Sequence, residues 1–165
     1  MEENNQKKSF TVIEILVILV IISSLFLGGI ANYQNFNQQQ KLKNEAKKFV
    51  EVFDLTKKRA ISSQLYNQSC NNFNGYRIFI NLSGNQYQVQ FGCNNSYLNI
   101  QTYDLPTNIV FVIGNNSFFN FPPMGVNINI NVNNLRIKNL LINQCLNISI
   151  SNNGIIEMDN QLISC

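Results

Sequence analysis

The sequence predicts an α+β chain: a long N-terminal helix whose first half spans a membrane, packed on a C-terminal antiparallel β-sheet or β-sandwich. Three observations predict it. Residues 10–31 form an apolar run with a single charge, Glu14. From Asn32 to about Tyr66 apolar residues recur at spacings of three and four, the period of a helix with one buried face. After Cys70 the pattern changes to alternation, the period of half-buried strands.

Residues 1–9 are polar and end in Lys7, Lys8 and Ser9. The run that follows from Phe10 is close to the roughly 20 residues needed to cross a hydrocarbon core as a helix. Lysines ahead of it place this end in the cytoplasm and the bulk of the chain outside. Glu14 is the anomaly, because an ionised carboxylate inside a spanning helix costs about 2.5–3.5 kcal/mol. The competing reading is a secretory signal peptide cleaved near Gly29-Ile30-Ala31, leaving an exported soluble β-rich protein. Against it, the run exceeds an ordinary h-region, carries an acid near its start and continues into a second helical pattern.

In residues 32–68 the apolar residues Phe36, Leu42, Ala46, Phe49, Val50, Phe53, Ala60, Ile61 and Leu65 recur mostly at spacings of three or four. They define one stripe of an amphipathic helix that continues the apolar run. Lys41, Lys43, Lys47, Lys48, Glu51, Lys57 and Lys58 decorate the other faces, which reads as a solvated surface. No proline interrupts the two patterns, although Gly28-Gly29 offers a bend. If continuous to Leu65, the rod is about 80 Å long at 1.5 Å per residue, too long for a compact domain.

Residues 69–165 read as the β-rich globular domain. Tyr76–Leu82 and Gln86–Phe91 flank Ser83-Gly84-Asn85 as a hairpin. Tyr97–Thr102 and Ile109–Ile113 lie either side of the turn Asp104-Leu105-Pro106-Thr107-Asn108. Val126, Ile128, Ile130 and Val132 alternate with Asn127, Asn129, Asn131 and Asn133, one face buried and one wet. Leu135–Ile142, Leu146–Ile150 and Ile155–Met158 complete the strands, the last two joined by Ser151-Asn152-Asn153-Gly154.

Composition removes whole classes of function. The 165-residue chain contains no histidine, which excludes His-based nucleophilic triads and His-ligated zinc. No Ser-x-x-Lys pair, glycine-rich phosphate loop or paired acid stands out, so the sequence predicts no enzyme, no metal and no cofactor. Charge is sparse at 13% and net +3. Cys70, Cys93, Cys145 and Cys165 all follow the apolar run, in what export would make an oxidising compartment, and disulfides are expected. Of three possible pairings, locality favours Cys70 with Cys93 and Cys145 with Cys165.

The segment Ser9-Phe10-Thr11-Val12-Ile13-Glu14, preceded by Lys7-Lys8, resembles the prepilin signal of type IV pilins and type II secretion pseudopilins. Ser9 stands where glycine is usual in that family. The resemblance implies a pilin-like fold, a leader of residues 1–9, cleavage between Ser9 and Phe10 by a prepilin peptidase, and N-methylation of Phe10. It also implies that Glu14 pairs with the new amine at Phe10 and aligns a subunit entering a filament. Snorkelling of Glu14 to the interface is the alternative reading of the residue itself.

Downstream, the chain resembles more specifically the GspH/FimT-like minor pilins. The matching residues are Lys58-Arg59-Ala60-Ile61, Cys70 before Gly75-Tyr76-Arg77-Ile78, Leu105-Pro106 before Ile109-Val110-Phe111, and Phe119-Asn120-Phe121-Pro122 before Gly125. The resemblance implies a structural subunit of a pseudopilus or pilus. Its partners are other pilin subunits, the peptidase and an inner-membrane assembly platform. The resemblance further implies anchoring by a single pass in the bacterial cytoplasmic membrane, with the globular domain outside the cytoplasm. A FimT-like capture of DNA is the alternative within the family. Arg77, Arg136 and Lys138 are too few cations for several phosphate contacts, and Glu157 and Asp159 add negative charge, so no nucleic-acid partner is expected.

Overall fold

A computed structural model of the chain describes residues 11–66, 70–112, 117–125, 128–130 and 134–165, apart from the side chains of 25–31. The chain divides into two units, residues 1–37 and 38–165. One helix, α1 (Val12–Ile61), contributes to both.

In the first unit the described chain is α1 alone. Helical backbone continues through Gly28-Gly29, where each glycine costs about 1 kcal/mol relative to alanine. The apolar side chains from Val12 to Ile22 are all exposed. Ser23 and Ser24 donate their hydroxyls to the carbonyls of Leu19 and Ile21, so the polar groups of this stretch are satisfied by the helix itself. Among the described residues no helix is long and apolar enough to cross a membrane.

The second unit begins on the same helix. Leu42, Ala46, Phe49, Val52, Phe53, Thr56 and Ala60 are buried, a stripe stepping by three and four. Thr56 is tolerated in that stripe because its hydroxyl donates to the Val52 carbonyl at 2.7 Å. The helix stops at Ile61, short of the predicted Tyr66. There the Gln64 N–H bonds to Arg59 O and the Ser63 N–H to Ala60 O, with Ser63 at φ 50°. This is a Schellman ending, carried by serine where glycine is usual. Ile61 and Leu65, expected in the stripe, are consequently exposed, as is Phe36 in the first unit.

Two antiparallel sheets complete the second unit. The first has the order β3-β2-β1-β5-β6, with β1 (Phe73–Asn81), β2 (Gln86–Cys93), β3 (Ser96–Asp104), β5 (Ser117–Phe121) and β6 (Asn129–Ile130). The second has the order β10-β8-β7-β4, with β4 (Ile109–Val112), β7 (Asn134–Asn139), β8 (Gln144–Ile150) and β10 (Ile163–Ser164). β9 (Ile156–Met158) also pairs with β8. The predicted β1–β2 hairpin is present, but Asn85 rather than Gly84 takes the left-handed conformation, at φ 48°. Asn85 Nδ2 then donates to Ile109 O at 2.9 Å, tying the hairpin to the start of β4.

Alternation along β1 and β2 sends Tyr76, Ile78, Ile80, Tyr87, Val89 and Phe91 to the core. Gly75 lies at a register irregularity with φ 94°, and a Cβ there would strike the Phe121 carbonyl. Phe49 joins all layers: its ring meets Tyr87 of β2 at 5.2 Å, Phe111 of β4 at 5.5 Å and Phe119 of β5 at 6.3 Å, each edge to face. Phe53 continues the contact to Phe119 and Phe121.

Several strand boundaries differ from expectation. The predicted strand Leu135–Ile142 ends at Asn139, because Asn139 Oδ1 accepts the Leu141 N–H at 2.9 Å and turns the chain. Ile155 precedes β9 rather than opening it. Within the Asn-Val-Ile alternation, Ile128 is buried and Asn129 exposed as expected, whereas 126–127 and 131–133 lie outside the described residues. Ile113 lies outside them too. Both disulfides form as locality favoured, Cys70–Cys93 with Cα atoms 5.9 Å apart and Cys145–Cys165 at 5.4 Å.

Candidate functional site

The candidate site begins at the first turn of α1. Thr11 precedes the helix as its N-cap, and Glu14 occupies the third helical position. The Thr11 N–H donates to Glu14 Oε2 at 3.3 Å, and the Glu14 N–H approaches Thr11 Oγ1 at 3.4 Å. The Thr11 hydroxyl also donates to Glu14 Oε2 at 3.4 Å. This is a capping box in which the Thr11 N–H finds its acceptor in the Glu14 carboxylate, while the Glu14 N–H, already bonded to the Thr11 carbonyl at 3.1 Å, is shared with the Thr11 hydroxyl oxygen. It places the carboxylate at the positive end of the helix macrodipole, a second source of stabilisation.

The box supplies part of the compensation that the acid requires. The spacing Thr11-x-x-Glu14 is itself a capping signature, set in an apolar run where a carboxylate first reads as a membrane charge. The residues expected to flank it, Lys7, Lys8, Ser9 and Phe10, lie outside the described residues. From Val12 to Gln40 no other acid or base is present, so Glu14 is the sole formal charge on that length of α1. Within it, Val12–Ile22 is apolar on every face apart from Glu14, a segment suited to lipid or to a bundle of other helices.

In the second unit the three cations considered as a nucleic-acid contact are not brought together. Arg77 lies on β1 of the first sheet, whereas Arg136 and Lys138 lie on β7 of the second. Arg77 donates Nε and Nη2 to Gln90 Oε1 at 2.8 and 2.6 Å, and its guanidinium stacks 3.8 Å from the Tyr97 ring centroid. Burial pushes the Arg77 pKa down, while Tyr97 opposes that shift. Arg136 donates to Asn147, which in turn donates to Asp159, so its charge is linked to an acid.

Lys57, expected on a solvated face, instead donates to the carbonyls of Asn153 and Gly154 at 3.0 and 2.9 Å. It fixes the β8–β9 turn against α1. Gly154 takes φ 73° there, consistent with the Ser-Asn-Asn-Gly turn signal. These contacts hold the sheet to the helix and expose no reactive group.

Among solved structures, the fold is similar to that of the minor pseudopilin EpsH from the type 2 secretion system of Vibrio cholerae. The TM-score is 0.51 at 14% identity, over 72% of this chain and 96% of that one. The likeness is one of fold: a pilin-like α+β arrangement. No protein-family model matches the sequence, and no curated protein matches it.

Proposed function

We propose that the chain is a minor pilin or pseudopilin, a structural subunit of a type II secretion pseudopilus or a type IV pilus. The observation that carries this reading is the first part of α1: exposed apolar side chains from Val12, hydroxyls satisfied within the helix, and Glu14 as the only charge on α1 before Lys41. The likeness of fold to a minor pseudopilin, over 72% of this chain, supports it.

In this account Lys7 and Lys8 hold the leader in the cytoplasm, and a prepilin peptidase cuts between Ser9 and Phe10. N-methylation of Phe10 follows. The apolar run first spans the cytoplasmic membrane with the globular unit outside, then leaves lipid for the helical core of a filament. That exchange needs no apolar surface to enter water, because one greasy environment replaces another. Glu14 supplies selectivity: its carboxylate is retained by the capping box in the membrane and pairs with the Phe10 amine of a neighbour during assembly. Other pilin subunits and an inner-membrane platform are the partners.

The test is fractionation of a tagged chain in cells that carry a pilus or pseudopilus machine. The account predicts the chain in sheared filaments, and its retention in the membrane when the peptidase is deleted. A chain found only free outside the membrane, whatever the peptidase, contradicts it.

A further inference from the structure

The β7–β8 turn departs from the usual chemistry of turns. Such positions favour Gly, Pro, Asn, Asp and Ser, yet residues 140–142 are Leu, Leu and Ile. Leu140 and Leu141 are 52% and 60% exposed. Their exposure is fixed from three sides. Asn139, fully buried, accepts the Leu141 N–H and donates through Nδ2 to Gln38 Oε1 at 3.1 Å. The Leu140 N–H donates to Asn108 O at 2.8 Å. Beyond the tip, Asn143 takes φ 50° and its carbonyl accepts the Cys165 N–H, beside the Cys145–Cys165 bridge.

The turn is therefore an apolar tip tied to α1 at Gln38. Gln38 is seven residues from Ala31, where the apolar run ends. A tether of seven residues reaches no more than about 25 Å even when fully extended. Lys41 is exposed one helical turn after Gln38, and Lys138 directly precedes Asn139. Apolar side chains accompanied by lysines are the combination that binds the surface of a bilayer with anionic headgroups.

We propose that the Leu140–Leu141 turn inserts into the headgroup region of the bilayer and holds the globular unit against the membrane before assembly. The proposal rests on the membrane-spanning reading of the apolar run given above. It makes the turn a second, weaker membrane contact that is withdrawn when the subunit enters a filament.

The chain has no tryptophan, so a single introduced one reports on its own surroundings. The full chain carrying Leu141→Trp is reconstituted at low density into vesicles of phosphatidylcholine and phosphatidylglycerol, with and without lipids brominated near the headgroup. The control is Ile155→Trp, beside the turn that Lys57 holds. Lys57 lies nineteen residues along α1 from Gln38, roughly 28 Å at 1.5 Å per residue.

The proposal predicts blue-shifted emission for Leu141→Trp and loss of most of its intensity to brominated lipid, with the control unquenched. Leu140→Asp added to Leu141→Trp should restore water-like emission. Flotation with vesicles but unquenched, water-like emission at position 141 overturns the proposal and leaves the spanning reading standing. Blue-shifted but unquenched emission assigns the turn to a protein neighbour and also overturns it. Failure of the full chain to float removes both.

Discussion

Glu14 turns its carboxylate back onto Thr11, accepting that residue's backbone N–H at 3.3 Å while Thr11 Oγ1 faces the Glu14 N–H. The acid thus closes the first turn of α1, and in the function proposed above it has a second, separable task, pairing with a neighbour during assembly.

Substitution separates them. Glutamine retains a capping oxygen without the charge, and alanine retains neither. Glu14→Ala is expected to be processed and inserted in the membrane yet poorly incorporated into filaments. Glu14→Gln should incorporate equally poorly if charge pairing governs assembly. Thr11→Ala, which loses a cap of about 1 kcal/mol but keeps the carboxylate, should incorporate well. Immunoblots of membrane and sheared-filament fractions check all three, and rescue by glutamine would reassign Glu14 to capping alone.

Phe49 is the side chain on which helix and both sheets converge. Phe49→Ala should cost about 3–5 kcal/mol, the range for truncating a buried phenylalanine. Phe36→Ala, at an exposed position, should change stability by no more than about 0.5 kcal/mol. Denaturant unfolding of the two variants measures the difference.

The tyrosines give the fold an alkaline limit. Burial raises the pKa of Tyr87, with Tyr103 and Glu45 adding to it, and burial also raises Tyr76 and Tyr103. A phenol held neutral in the folded state keeps its proton after the unfolded phenol, at 10.0, has begun to lose it. Above that pH the unfolded state binds fewer protons, so stability is complete below pH 10 and falls as pH rises. Among the described residues, the buried Tyr87 hydroxyl has no hydrogen-bond partner. Tyr87→Phe should therefore leave neutral-pH stability unchanged or raise it by about 1 kcal/mol, and make the alkaline fall shallower. Unfolding curves from pH 7 to 11.5 check both effects.

Each disulfide closes a short loop, with sequence separations of 23 for Cys70–Cys93 and 20 for Cys145–Cys165. Replacing either pair by serine should cost about 3 kcal/mol by the chain-entropy estimate. The effects should add, because one bridge ends on β2 of the first sheet and the other on β8 of the second. Thermal unfolding of the two double-serine variants and their combination measures this.

Much of this architecture is legible in the chain because it rests on period. Leu42, Ala46, Phe49, Phe53 and Ala60 are spaced as a buried helical face must be, and the cysteines lie near enough in sequence for locality to pair them. Thr56 escapes a search for apolar residues because its polarity is cancelled by its own helix. β5 escapes because Ser117 and Asn120 interrupt its apolar character, although Phe119 and Phe121 both point inward. The end of β7 is set by a side-chain bond from Asn139, which no periodicity encodes. At Glu14 the Thr-x-x-Glu spacing is legible, but inside an apolar run a carboxylate is first a cost to be compensated and only second a cap.

The central claim is that the chain is cut and assembled as a pilin-type subunit, and the mass of its mature N-terminal peptide tests it most directly. Isolated from the membranes of cells with an active prepilin peptidase, the protein should begin at Phe10 and carry one N-methyl group. A mature chain beginning at Asn32, or one retaining residues 1–9, would contradict the account.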